Sequence, residues 1–401
     1  MSERYDVAVV GLGLFGAAAL RHLTRLGART VGIGPGEPEN WDTHDGVFAS
    51  HYDSGRITRR IDRRHEWAAL AARSIEEYGP LEDETGIEFH HPVGTLWADT
   101  DHARVREIER VARSLDITCH VCELSAPASV HGYSLPSDVA YTFEADPAGY
   151  VDPRKMLAAQ LSSARKAGAH MCADRAIAIE RNSGSFSVLT AASGSIEAES
   201  VILATGAYAN AYGLTRSHIP LRVKSEITAL FRVDGAQSAP YHDLPTFIYG
   251  LSHPTLSDFY LVPPTTYPDG SVYLKAGADT SADLSLTTRE KMNEWMRNGP
   301  SDPFARDFDE VIRAVLPTLP IVETHTKRCL ITYTAHGLPY IDQVEPGLFV
   351  ALGGNGRGAK SSDAIGRAAA ALALGNWDDP LPQESFSIPS DAANEPAAMP
   401  L

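Results

Sequence analysis

Arginines 56, 59, 60, 63 and 64 crowd into one short stretch, Ser50-His51-Tyr52-Asp53-Ser54-Gly55-Arg56-Ile57-Thr58-Arg59-Arg60-Ile61-Asp62-Arg63-Arg64. At helical spacing they share one face, and five like charges there repel unless solvent or an anion compensates them. A solvated basic face meets that need. So does a substrate carboxylate or the anionic pole of a cofactor, which guanidinium groups grip in bidentate fashion. The second concentration of chemistry is Gly11-Leu12-Gly13-Leu14-Phe15-Gly16. It lies between a predicted strand, 5–10, and an Ala/Leu-rich helix, 17–26, and a second strand, 30–33, follows the turn at Gly27. GxGxxG in that setting suits a dinucleotide pyrophosphate: Gly11 makes the tight turn, Gly13 admits the phosphate and Gly16 lets helix and strand pack closely. The acid that usually holds the ribose is missing, because the second strand ends Gly32-Ile33-Gly34-Pro35-Gly36, with Glu37 and Glu39 only beyond it. Either Glu37 reaches back or another group takes the ribose.

The elements that must position these residues belong to an ordinary globular chain of 401 residues, with 43% hydrophobic and 21% charged residues. Its net charge of −16 disfavours nucleic acid and anionic membranes as partners and points to small molecules. No window approaches the ~18 apolar residues of a membrane helix. Cys119, Cys122, Cys172 and Cys329 are too few and dispersed for a disulfide framework, and nothing resembles a signal peptide, so a cytoplasmic protein is expected. The CxxC at 119–122 lacks the second pair of a zinc ribbon and the surroundings of a thioredoxin motif. The fifteen histidines show no HxxxH or HExxH spacing, so no metal is expected.

Further nucleotide-domain signals lie downstream: a helix at 155–167, a strand at 169–172, β segments at 185–192 and 196–199, and a buried strand, 201–207, ending at Thr205-Gly206. Near the C-terminus come a buried strand at 347–352, a Gly-rich loop at 353–358 and an Ala-rich helix at 361–374. The expected fold is therefore α/β with two domains. Segments 1–85, 149–217 and 326–380 form a Rossmann-type domain. Segments 86–148 and 218–325, richer in aromatics, Pro and β-like alternation, form a mixed-sheet substrate domain. Residues 381–401 read as an irregular tail.

Taken together, GLGLFG at 11–16, SHYDSGRITR at 50–59, YLKAG at 273–277, CLITYTAHGLPYID at 329–342 and GGNGRGAKSS at 353–362 resemble the monomeric sarcosine oxidase and N-methyltryptophan oxidase family, in the same order. The resemblance runs from Tyr5 to about residue 375. It implies the glutathione-reductase-like FAD fold shared with glycine oxidase and D-amino-acid oxidase, and FAD rather than a nicotinamide at the GxGxxG. Cys329 matches the family's point of covalent flavin attachment. Lys275 matches the lysine that activates oxygen, and Arg56 the arginine beside the flavin. Arg59 and Lys360 match the pair that clamps the substrate carboxylate. Ser50, His51, Thr205 and Gly206 are expected against the cofactor. So are Gly354, Asn355, Gly356 and Gly358, whose backbone N–H groups would favour negative charge on a reduced ring.

The departures from the family bear on substrate. Asp279 stands where the sarcosine enzymes carry histidine, Ile331 where they carry tyrosine, and Arg357 where the Gly-rich loop has histidine. They imply a larger amino acid with another polar group, read by Arg357 and Asp279. The activity implied is FAD-dependent oxidation of the C–N bond of an α-amino acid, N-alkylated and bound as the neutral amine, by a monomer that uses oxygen and yields imine and hydrogen peroxide. A non-covalent oxidase or dehydrogenase of the glycine oxidase type and a low-turnover flavin-binding protein are the alternatives.

Overall fold

The computed structural model describes residues 4–390; the final stretch of the expected tail, 391–401, lies outside them. Strand Arg4–Val10 alternates and then becomes wholly buried, as a central parallel strand should. It pairs in parallel with Thr30–Ile33 on one side and with Ser195–Leu203 on the other. His170–Cys172 extends the sheet beyond Thr30–Ile33, and Leu348–Leu352 adds in parallel beside Ser195–Leu203. Antiparallel strands Ser185–Thr190 and Ala176–Asn182 complete that edge. Ser195–Leu203 is one continuous strand where the sequence reads as two segments.

Helices Leu14–Arg25, Pro153–Lys166 and Gly358–Ala373 cover this sheet. The last begins at Gly358, inside the Gly-rich loop, rather than at 361. Its approach to the first helix is set by Gly366, where an added Cβ would stand 2.5 Å from Ala18 Cβ and 2.6 Å from the Ala19 nitrogen.

A second, mixed sheet runs in the order Ile321–Thr334, Leu221–Val233, Val272–Thr280, Leu256–Thr266, Thr246–Gly250, Thr95–Asp99, Ala140–Glu144, His120–Glu123. Its strand Ile321–Thr334 crosses the 325/326 boundary expected between segments and carries Cys329 into this sheet. Helices Arg289–Asn298 and Ala305–Val315 pack on it around a core that includes Phe231, Phe247, Phe259 and Phe308. A small antiparallel sheet, Arg56–Thr58 with Gly149–Val151 and His90–His91, joins the two layers.

The arginine run is not a helix. Arg56 lies on the three-residue strand Arg56–Thr58, and the chain is irregular until the helix His65–Glu76 begins. Three of the five guanidinium groups instead meet partners from far along the chain: Arg60 finds Glu144, Arg63 finds Glu107, and Arg64 donates to the His336 carbonyl. Those long-range pairs overrode the helical spacing.

Candidate active site

Two adjoining cavities, of about 170 and 280 Å³, share Gly13, Ser50, Gly206 and Cys329 among their lining residues. The smaller follows the first β–turn–α unit. Gly11 has φ +96°, and a Cβ there would stand 2.5 Å from the Ala204 carbonyl oxygen. At Gly16 it would stand 1.8 Å from the Gly11 oxygen, whereas at Gly13 it would meet only His51 Nδ1, at 3.9 Å. Gly13 therefore opens to the cavity at the N-terminus of a helix, as a phosphate-accepting position must. Thr205, Arg175 and Tyr212 line the same cavity, and their buried Oγ1, Nε and Oη atoms have no hydrogen-bond partner among the described residues. Such orphaned groups await a polar ligand, so these residues fit a dinucleotide.

The missing ribose acid has a steric reason. A Cβ on Gly34 would sit 2.8 Å from the Leu12 nitrogen, so no side chain fits there. Glu37 does not reach back, because both its oxygens are taken by Arg154 at 2.6 and 2.7 Å. His51 lines this cavity, and burial lowers its pKa to about 4, leaving the ring neutral near pH 7.

Two groups of charges stand at the larger cavity: Arg59, Arg357 and Lys360 line it, whereas Lys275 and Asp53 are not among its lining residues and adjoin it through Arg56 and Tyr260, which are. In the first, Lys275, 1% exposed, donates to Asp53 Oδ2 at 2.5 Å and to the Gly55 carbonyl at 3.0 Å. Arg56 pairs with the same carboxylate, and Tyr267 donates to its other oxygen at 2.9 Å. Arg56 also points a guanidinium nitrogen at Cys329 Sγ, 3.9 Å away. Burial pushes the Lys275 ammonium down to about 8, with Arg56 acting in the same direction and Asp53 opposing both. Burial alone would raise the Asp53 carboxyl, but Arg56 and Lys275 hold it far below the ordinary carboxylate range.

In the second group, Lys360 and Arg357 reach Asp62 Oδ2 at 3.1 and 3.2 Å, and Arg59 approaches it at 3.6 Å. Asp62 is wholly buried. The Arg59 guanidinium stacks 4.8 Å above Trp97, and its Nε has no partner. Burial lowers Lys360 to about 7 and Arg59 to about 10, each partly restored by Asp62. Three cations facing one internal carboxylate retain donors for a further anion.

The structure thus brings Arg59, Arg357 and Lys360 together, and Lys275 with Arg56. Gly354, Asn355, Gly356 and Gly358 line the same cavity. Asp279 does not line it: its carboxylate is bound at 2.6 Å by Lys224, which also holds Glu226 and Asp283. The expectation that Asp279 reads the substrate is corrected accordingly, because Lys224 draws it behind the cavity wall. Sequence reasoning also missed Asp53, Asp62, Glu226 and Asp258. Asp53 and Asp62 stood inside the arginine run, and two acids among five arginines were the available signal.

Among the described residues, the three carboxylates able to approach one cation are Glu226, Asp279 and Asp283, and the Lys224 ammonium sits between them. No described helix is long and apolar enough to cross a membrane.

The fold has counterparts among known proteins. Residues 6–372 match the family model described as DAO, FAD dependent oxidoreductase. A monomeric sarcosine oxidase from Bacillus sp. is 25% identical over 385 residues, 93% of each chain. Another from Streptomyces avermitilis is 31% identical over 173 residues, 43% of this chain and 44% of that protein, so that match spans less than half of its relative. Among solved structures, the open form of NikD, described as an unusual amino acid oxidase essential for nikkomycin biosynthesis, has a TM-score of 0.75 at 21% identity, covering 96% of this chain and 98% of that one.

Proposed function

This chain belongs to the FAD-dependent oxidoreductase family, and from that premise we propose that it is an oxidase of the C–N bond of an α-amino acid, preferentially an N-alkylated one. The overall reaction takes amine and oxygen to imine and hydrogen peroxide. FAD, when bound, supplies the acceptor for the two electrons and returns them to oxygen. The residues of the GxGxxG turn and Thr205 would hold its pyrophosphate side, and Arg56, Cys329 and the 353–358 loop would face its ring.

The observation that carries the reading is the buried clamp of Arg59, Arg357 and Lys360, whose donors exceed what Asp62 can accept, in a cavity also lined by Arg56, which shares the Asp53 carboxylate with Lys275. The clamp would fix the substrate carboxylate, so that the carbon beside the nitrogen is oriented before reaction. Trp97, Ile57 and Ile248 line the remaining wall and exclude water from it. Lys275 would place positive charge where oxygen takes up negative charge, and Asp53 fixes that ammonium in position. Cys329 is proposed as the covalent attachment point of the flavin, and the segments around the two sheets are proposed as a flavin domain and a substrate domain.

Anaerobic addition of N-alkyl amino acids should bleach the visible flavin spectrum, and admission of air should restore it with formation of peroxide. Absence of bleaching by any amino acid would leave a flavin-binding protein without this activity. Lys275→Met should keep the anaerobic bleaching and slow reoxidation by about 100-fold or more. Yellow colour retained in an acid-precipitated pellet, and lost to the supernatant in Cys329→Ala, would establish the covalent link.

A further inference from the structure

The carboxylate clamp occupies only part of the larger cavity. Another part is formed by the second sheet, where the antiparallel register places Glu226 opposite Cys329. Residues alternating along Val272–Thr280 put Lys275, Gly277 and Asp279 on one face. Gly277 is required there because the Tyr260 ring lies where its Cβ would be, 2.3 Å from Tyr260 Cζ. Tyr260 consequently lines the cavity together with Glu226 and Asp258.

Both carboxylates are under-used. Glu226 is 2% exposed; its Oε2 accepts from Lys224 at 2.7 Å, and its Oε1 has no partner among the described residues. Among the described residues, Asp258 has the Arg104 guanidinium, 3.7 Å away, as its ion-pair partner. Behind them stand Asp279 and Asp283, and the single Lys224 ammonium leaves this cluster net negative. Burial pushes Glu226 up to about 8 against the pull of Lys224, and burial with Asp279 raises Asp258 to about 6. Trp97, Ile248 and Ile331 also line the cavity, Ile248 standing between Trp97 and Tyr260 in the sheet, and give it an apolar wall suited to methylene groups.

We infer that the cavity selects an amino acid whose side chain carries a second, cationic group: the carboxylate on Arg59, Arg357 and Lys360, the hydrocarbon along Trp97, Ile248 and Ile331, and the distal ammonium or guanidinium on Glu226 and Asp258. The inference rests on the oxidase reading for its reaction but not for its binding. Glu226, mostly protonated near pH 7 while the cavity is empty, ionises as such a group arrives and gains a charge-assisted hydrogen bond at its vacant oxygen, whereas a second carboxylate would face the charge of Asp258. It also replaces Asp279, the acid expected from sequence, by two residues that do reach the cavity.

The test is calorimetric titration of the FAD-loaded protein with three matched series that need no turnover: straight-chain alkanoates, ω-aminoalkanoates and α,ω-dicarboxylates of four to six carbons. The ω-aminoalkanoate of best length should bind ~10-fold or more tightly than the matching alkanoate, and the dicarboxylate most weakly. That preference should shrink in Glu226→Gln and in Asp258→Asn, the second variant standing at a more exposed position in case the first disturbs the Lys224 cluster. Equal binding of the alkanoate, tighter binding of the dicarboxylate, or a preference unchanged in both variants would overturn the inference. If the binding order holds while no amino acid bleaches the flavin, the oxidase reading falls and the ligand class stands. If neutral N-alkyl amino acids bleach it as efficiently as basic ones, the reverse applies.

Discussion

Lys275 is buried, and its charge near neutral pH depends on one neighbour. Burial and Arg56 both push its pKa down, to about 8, and Asp53 opposes them. Removing the carboxylate therefore lowers the pKa further and leaves more of the amine neutral at any pH above it. Asp53→Asn is expected to move the fall in oxygen reactivity to lower pH. A shift of ~1 unit cuts the protonated fraction about tenfold well above the midpoint. Anaerobic reduction by substrate should be much less affected, because the carboxylate clamp does not include Lys275. Stopped-flow reoxidation measured across pH checks this, and an unshifted profile would mean that Asp53 does not set the charge of Lys275. Lys275 and the clamp residues Arg59, Arg357 and Lys360 were singled out from motif position alone. Their counter-ions were not, since Asp53 and Asp62 gain meaning only when Lys275 and Lys360 arrive from over two hundred residues away.

At the scale of elements, legibility follows locality. The turn at 11–16 and the strand Thr30–Ile33 were readable because φ preference and alternation act over a few residues. The arginine run was misread because its conformation is decided by Glu144, Glu107 and the His336 carbonyl, none of which leaves a trace in local spacing. The contact of the first and last covering helices is equally non-local, and it depends on the absence of one methyl group. Gly366→Ala must push a Cβ against the backbone of Ala18 and Ala19, which are not flexible side-chain ends. Overpacking of this kind costs about 1–3 kcal/mol. Gly36→Ala, where an added Cβ meets nothing within 4 Å, is the control and should change stability little. Equal denaturation midpoints for the two variants would show that the helices can separate without penalty.

For the whole molecule, three buried aspartates join segments distant in sequence. Asp53 ties the loop after the first β–turn–α unit to the second sheet through Lys275, and Asp62 ties the arginine loop to the last helix through Lys360. Asp363 joins three helices, accepting from Arg21 at 2.6 Å, His22 at 2.8 Å and Gln160 at 2.6 Å. Burial opposes ionisation at all three, yet their partners hold each carboxyl well below its ordinary range. A carboxyl whose pKa is depressed by folding contributes stability above its unfolded value, ~4, and loses that contribution as the pH falls below it. Thermal stability should therefore decline steeply below about pH 4. Asp363→Asn removes one such contribution and leaves Arg21 buried without its closest partner, a change costing about 3–5 kcal/mol near pH 7. The difference between this variant and the parent should narrow as the pH falls below about 4, because the unfolded parent then takes up a proton that the folded carboxyl does not. Melting curves from pH 7 to pH 3 decide the matter: a gap that stays constant would locate the stability of this junction in packing rather than in the ionised carboxylate.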